Sequence, residues 1–411
     1  MNAKTLLGLL IAAIVAIVAA VFLNHGEQPR RDVAASDRYL APELRGHVND
    51  VAKVVVTAAG GKTIATLVRG AKGWSVTERH GFPADTGKLR GFLLKLADAK
   101  LVEPKTSDKD RYSALGVGDV AGKDAKGIEV DLDGLAKPLR IIIGNPETRS
   151  QGTFVRIPGE AQSWLASGDL AVPRTTADWL ARDLVDIPGK RITDVTITHP
   201  KGGNVHTHKA APGDPNFTLL DIPKGREATS AFAPNGPSSA LANLRLEDVQ
   251  PATGAPPPAD AIKARYLTFD GVVVDATAWS GSDKKDYVTL AASLDAQQAD
   301  QHIAGEQASA KSNYEQQLAA ATKAESQKTA GGDSKIPAPA AKPVEPLAVS
   351  DPGKDRADKL AAVNKEIASM NATFSGWTFE IAPYAFANMS KSLDDLTKSI
   401  EKKKPEKAKK R

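Results

Sequence analysis

Two stretches of this chain, one starting at Val51 and the other at Ile192, pass through the same succession of short β-type runs and glycine turns. That recurrence limits the fold more than any other feature. In the first stretch, residues 51–57 (VAKVVVT), the Gly60-Gly61 pair, residues 62–69 (KTIATLVR) and residues 73–78 (GWSVTE) have the alternation and β-branching of a small antiparallel meander. A helix follows, because Asp85 is suited to its N-cap and Leu89, Phe92, Leu93 and Leu96 fall at the i, i+3, i+4, i+7 spacing of one apolar stripe. Leu101-Val102-Glu103-Pro104 closes the unit.

The second stretch repeats these parts with residues 192–198 (ITDVTIT), Gly202-Gly203, residues 204–209 (NVHTHK) and residues 216–220 (NFTLL). A shorter helix from Pro237, carrying Leu241 and Leu244, leads to the closing segment Leu246-Glu247-Asp248-Val249-Gln250-Pro251. Further strand-like runs follow each unit: residues 127–132, 139–143 and 153–157, ending at Trp164-Leu165, then residues 266–269, 272–277, 287–291 and 377–381. The expected fold class is α+β: two tandem modules, each of antiparallel strand meanders with one packed helix. Their expected limits are 48–188 for the first and 189–294 for the second, completed by 375–392.

Residues 295–374 interrupt the second module. They are rich in Ala, Gln and Lys, helical by composition over 295–328 and 355–370, and too proline-rich between these to pack (PAPAAKPVEP). The insertion reads as a protruding helical arm whose removal leaves the module standing. Its apolar positions are too sparse for coiled-coil heptads, with a partner-binding arm as the alternative.

Residues 5–23 (TLLGLLIAAIVAIVAAVFL) contain no charged side chain. At about 1.5 Å of rise per residue, a helix of this length approaches the ~30 Å hydrocarbon thickness of a bilayer. The segment reads as a transmembrane anchor in preference to a cleaved signal peptide, whose apolar region is shorter. Residues 1–4 are then cytoplasmic, and residues 24–47, with Pro29 and Pro42, form a stalk. The expected location is the inner membrane, single-pass through residues 5–23, with the body in the periplasm. The chain has no cysteine, so lipid attachment through cysteine, disulfides and thiolate metal sites are excluded.

The sequence pI near 9.0 suggests a nucleic-acid partner, but the distribution of charge does not support one. Seven of the 54 basic residues and two of the 49 acidic ones lie in residues 401–411, which leaves 47 of each sign elsewhere. The excess belongs to a basic tail, residues 393–411, whose bland reading is a solvated terminus and whose alternative is a contact with anionic lipid headgroups.

Among chemistry-bearing residues, His199, His206 and His208 are the one group with ligand character. His206 and His208 stand at i, i+2 on a strand and share a face, so Asp214 would be needed to complete a zinc shell. Gly116-Val117-Gly118 precedes no helix that would aim backbone N–H groups at a phosphate. Asp131 and Asp133 read as exposed charges, and no G-x-S-x-G turn presents a serine. Trp74, Trp164, Trp179, Trp279 and Trp377 read as core anchors, with a glycan-stacking platform as the alternative. No catalytic, cofactor-binding or metal residue is assigned, no cofactor is expected, and the protein is not read as an enzyme.

Several short segments together resemble the bacterial family called domain of unknown function 4340. They are Gly73-Trp74-Ser75-Val76, Ala114-Leu115-Gly116-Val117, Ile143-Gly144, Thr153-Phe154-Val155-Arg156 and Trp179-Leu180-Ala181-Arg182-Asp183-Leu184, with the N-terminal apolar segment ahead of them. The resemblance implies a membrane-anchored envelope protein, often encoded beside an ABC transporter and a gliding-motility-type auxiliary subunit, and it supplies no catalytic residues. The implied function is that of an accessory or scaffold subunit of an ABC-type transport assembly. The alternative is an envelope protein that takes a glycan or lipid headgroup between its two modules.

Overall fold

A computed structural model describes residues 38–149, 151–252, 256–329 and 343–400. The chain divides between Ala181 and Arg182 into two compact units.

The first unit is built on one nine-stranded antiparallel sheet. Its strands are β1 (Lys53–Ala58), β2 (Lys62–Gly70), β3 (Gly73–Val76), β4 (Phe82–Pro83), β5 (Leu101–Pro104), β6 (Ile128–Asp133), β7 (Leu139–Glu147), β8 (Gly152–Arg156) and β9 (Ser163–Ser167), in the spatial order β4-β3-β2-β1-β6-β7-β8-β9-β5. Alternation sets the buried face: Val54 and Val56 of β1 are fully buried, with the half-buried Val55 between them. Between β4 and β5 runs α1 (Thr86–Asp98), whose first turn is capped by Asp85, the carboxylate accepting from the Lys88 N–H at 2.8 Å. Leu89, Phe92, Leu93 and Leu96 are all buried, as their spacing requires. A one-turn helix, α2 (Tyr112–Leu115), precedes β6. Residues 38–47, which the sequence reads as stalk, take part in this unit: the Leu40 N–H donates to Ala99 O, the Leu101 N–H donates to Arg38 O, and Leu44 is fully buried.

The second unit has nine strands in one sheet: β10 (Asp183–Val185), β11 (Ile192–Thr198), β12 (Val205–His208), β13 (Thr218–Leu219), β15 (Leu244–Pro251), β16 (Ile262–Thr268), β17 (Val272–Ser280), β18 (Asp286–Leu294) and β19 (Trp377–Ile381). A separate ribbon pairs β14 (Arg226–Ala228) with β20 (Thr397–Ser399). Read from β13, the order is β13-β12-β11-β16-β17-β18-β19-β15-β10. The first sheet runs β3-β2-β1-β6-β7-β8-β9-β5 beyond its edge strand, so strands in corresponding chain positions occupy corresponding places.

The covers differ. The helix expected from Pro237 is replaced by two 3-10 turns, Ala233–Asn235 and Pro237–Ser239. Pro234 and Pro237 have no N–H to continue a helical ladder, and the Ser238 and Ser239 hydroxyls bond back to Asn235 O and Gly236 O. Leu241 is fully buried without a helix, and Leu244 opens β15.

The insertion supplies three helices: α3 (Ala296–Thr329), α4 (Leu347–Ser350) and α5 (Pro352–Phe374). Of its proline-rich crest, expected over 329–352, residues 330–342 lie outside the described residues and Leu347–Ser350 forms a helical turn. Contrary to the expectation of a detachable arm, its base is part of the core. Ala299, Ile303, Ile367 and Phe374 are buried, and Asn371 of α5 bonds both the N–H and the C=O of Ala292, closing a stretch of β18 beyond its pairing with β19. Arg191 ties the same base down, paired with Asp270 in the β16–β17 turn and with Glu366 on α5. The chain ends in α6 (Pro383–Met389) and α7 (Leu393–Leu396) before β20.

The expectation of a transmembrane helix as part of the fold is corrected. The architecture is α+β with two large antiparallel sheets, and among the described residues no helix is long and apolar enough to cross a membrane. The two long helices have the length but not the surface: α5 carries Lys354, Asp355, Arg356, Asp358, Lys359, Lys365 and Glu366 within its 23 residues, and α3 is as polar. Residues 5–23 lie outside the described residues.

Candidate functional site

Segments that the sequence places far apart meet around α2. Gly116, at φ 72°, ends that helix, and a Cβ at Gly144 would sit 2.4 Å from Leu115 O, so β7 and the turn approach too closely for any side chain there. The Asn145 amide donates to Ala114 O. From β8, the buried Arg156 donates through Nε to Val117 O at 2.8 Å and through a terminal nitrogen to Glu160 O at 3.0 Å, pairs with Asp119, and lies over the Tyr112 ring at 4.6 Å. A buried guanidinium needs this many acceptors, since desolvating it unpaired is costly. Gly116-Val117-Gly118 is therefore a packing turn.

The histidines resolve differently. The Asp194–His208 and Thr196–His206 pairings of β11 with β12 set Asp194 beside both imidazoles. His206 Nε2 is 2.8 Å and His208 Nδ1 3.4 Å from Asp194 Oδ2, while His206 Nδ1 is 3.5 Å from Asp221 Oδ2. Partial burial would lower the His206 pKa, but the hydrogen bonds and charges of Asp194 and Asp221 outweigh it and the net shift is upward. Asp214 turns back to accept from the Ala211 N–H, and His199 Nε2 sits 3.1 Å from Lys391 O, so neither joins the pair. Among the described residues no group of three or more His, Cys, Asp or Glu side chains is placed to hold a metal ion. Sequence spacing found the two histidines. It missed Asp194, which only the strand register brings opposite them.

Asp131 and Asp133 are engaged in ion pairs, with Arg140 at 2.8 Å and Lys53 at 3.6 Å respectively. The tryptophans behave individually. Trp179 is fully buried and meets Phe92 edge-on with centroids 6.1 Å apart, Trp279 stacks on Tyr287 at 5.9 Å, and Trp74 lies under Arg69 at 5.2 Å. On the buried face of the second sheet the Tyr266 and Thr207 hydroxyls, aligned across Val195, have no hydrogen-bond partner among the described residues, and burial pushes the Tyr266 pKa up.

A groove of about 590 Å³ opens in the first unit, within the size range of small-molecule sites. Leu40, Leu101, Leu139 and Val155, all buried, contribute its apolar lining. Trp164 forms part of its wall with the Arg38 guanidinium 5.4 Å from the ring centroid, and Lys137 lines it as well. The sequence shows no sign of this groove, because its residues come from 38–43, from Leu101, and from 137–140 and 155–164.

No curated protein and no solved structure matches the chain. A family described as Domain of unknown function (DUF4340) matches residues 74–264, from β3 of the first unit to the middle of β16 in the second. The segments that suggested this resemblance are the ones that tie the fold together, including Trp179, whose C=O accepts from the Asp85 N–H beside α1. Over residues 74–264 the chain is similar to the DUF4340 family.

Proposed function

We propose that this protein is a non-enzymatic accessory or scaffold subunit of an ABC-type transport assembly in the bacterial envelope. The observation that supports a contact-making role is α3. Its 34 residues span about 51 Å, yet its ties to α5 are concentrated in its first turns: Asp300 with Arg356, Glu306 with Lys359, and Gln307 with Asp355 and Pro352 O. Beyond Gln307 the Ser309 hydroxyl and the Gln316 amide bond back to α3 itself, and most side chains over 308–323 are exposed. A helix carried on a fixed base and exposed on most sides offers area for a protein partner. The transporter as partner rests on the family resemblance.

A photo-crosslinking residue in place of Gln316, activated in intact cells that express the full chain, tests this reading. The expected result is a crosslink to a transporter subunit, identified by mass spectrometry, that is absent when the residue replaces Lys72 in the β2–β3 turn. Crosslinks at Gln316 only to this chain itself, or equal recovery from both positions, would overturn it.

A further inference from the structure

We infer that the groove of the first unit binds an amphiphilic anion, with the apolar part along Pro42, Pro138, Ile157 and Trp164 and the anionic head at Arg38 and Lys137. The inference does not depend on a transporter partner, and it moves the ligand from the boundary between modules, where the sequence reading put it, to a groove within one unit.

The argument starts from the lining. Six charged side chains border the groove, four cations (Arg38, Lys137, Arg140 and Arg156) and two carboxylates, Glu43 and Glu160. Arg156 and Arg140 are engaged elsewhere, the first with Asp119 and backbone oxygens, the second with Asp131 and Glu129. Arg38 and Lys137 have no carboxylate partner among the described residues. Arg38 is also held in place: its backbone C=O accepts from the Leu101 N–H at 2.9 Å, and its guanidinium rests over Trp164. A guanidinium laid on an aromatic face keeps its N–H edge free for an oxyanion, and stacking limits the rotamers it would lose on binding. Pro42 and Pro138 are exposed and Ile157 and Trp164 partly exposed, and a simple inorganic anion is a poor fit because it would leave this apolar lining wet. A neutral apolar molecule would leave the two cations without a counter-charge. A molecule with a phosphate or carboxylate head and a short alkyl part satisfies both, and lipid phosphates and free acyl anions share that chemistry.

Titration of the purified full chain, followed by calorimetry and by tryptophan fluorescence, decides the matter. The probes are octyl phosphate, octyltrimethylammonium and inorganic phosphate, each below any micelle-forming concentration. Saturable 1:1 binding of octyl phosphate is expected, at least ~10-fold tighter than either other probe, with a fluorescence change lost in Trp164→Phe. Arg38→Gln combined with Lys137→Gln, both exposed positions whose replacement leaves the circular dichroism unchanged, is expected to weaken octyl phosphate ~10-fold or more. Equal binding of the cationic amphiphile, binding of inorganic phosphate as tight as octyl phosphate, or affinity unchanged in the double variant would each overturn the inference. If octyl phosphate binds as expected, vesicles containing phosphatidic acid and free octanoate distinguish the two sources: retention on the vesicles that falls in the double variant assigns a membrane lipid, and competition by octanoate with retention equal in both chains assigns a free acyl anion.

Discussion

In the first unit, a single 13-residue helix, α1, covers the sheet from the link between β4 and β5. In the second, the corresponding link holds β14 and two 3-10 turns but no α-helix, and a helix that packs beside the sheet, α5, comes from an insertion more than a hundred residues further along the chain. The strand order is shared, so the difference lies in the layer above the sheet. A sheet with one apolar face must bury it against something, but the order of its strands does not dictate which part of the chain provides the cover. Unit one meets the requirement locally. Unit two meets part of it with residues that, by composition, look dispensable.

Phe374→Ala breaks this comparison most sharply. Phe374 is 1% exposed at the end of α5, and removing a ring from such a position costs about 3–5 kcal/mol through lost burial and the cavity left behind. Urea unfolding should show the loss, and Leu318→Ala on the exposed part of α3, where the side chain is 39% exposed, should cost under ~0.5 kcal/mol. If the two variants cost the same, the insertion is an appendage and the contrast between the units disappears.

The strands and α1 are legible in the sequence because each has its own period: alternation in VAKVVVT and KTIATLVR, and an i, i+3, i+4, i+7 stripe in α1. The replacement of the second helix is written in Pro234, Gly236 and Pro237, but Leu241 and Leu244 imitate a helical spacing and outweigh those breakers in a pattern reading. Burial at the base of the insertion leaves almost no trace, because Ala299, Ile303, Ile367 and Phe374 are four scattered residues among many polar ones. Asp194 belongs with His206 and His208 only after β11 and β12 are paired, and the groove exists only once four separate parts of the chain are folded together. Periodicity reports what a segment does along its own axis. It says nothing about which distant segment lies opposite.

A smaller effect sharpens the comparison from the other side. Asp85 caps α1 through the Lys88 N–H, and replacing it with alanine leaves an orphan donor at the helix start. Asp85→Ala should lower the stability of the first unit by about 1 kcal/mol, while Asp85→Asn, which keeps an acceptor oxygen, should recover most of it. A scan that follows Trp179, packed edge-on against Phe92 of α1, reports this unit. Equal loss in both variants would mean that the carboxylate charge, and not the cap, is what matters.

The smallest expected effect concerns pH and is read at the β11–β12 pair of the second unit, whose counterparts β1 and β2 carry no histidine. His206 on β12 is faced by Asp194 from β11, by Asp221 beyond β13, and by His208 on its own strand, which shares the Asp194 carboxylate. The Asp194 hydrogen bond raises the folded-state pKa of His206 above its ordinary value against the opposing effect of burial. Folding therefore favours the protonated ring. The stabilisation is fully present below the unfolded pKa of about 6.5 and is lost as pH rises through the higher folded value. Because the His206 side chain is 35% exposed and the pair is screened by water, the amount should stay under ~1 kcal/mol. The difference in unfolding free energy between the native chain and His206→Gln should thus be largest near pH 5.5 and fall toward a constant above neutrality. Asp194→Asn should flatten the profile in the same way, since it removes the acceptor that favours the charged ring. A difference that grew with rising pH would mean that burial governs His206 and that the carboxylates around it contribute nothing to the fold.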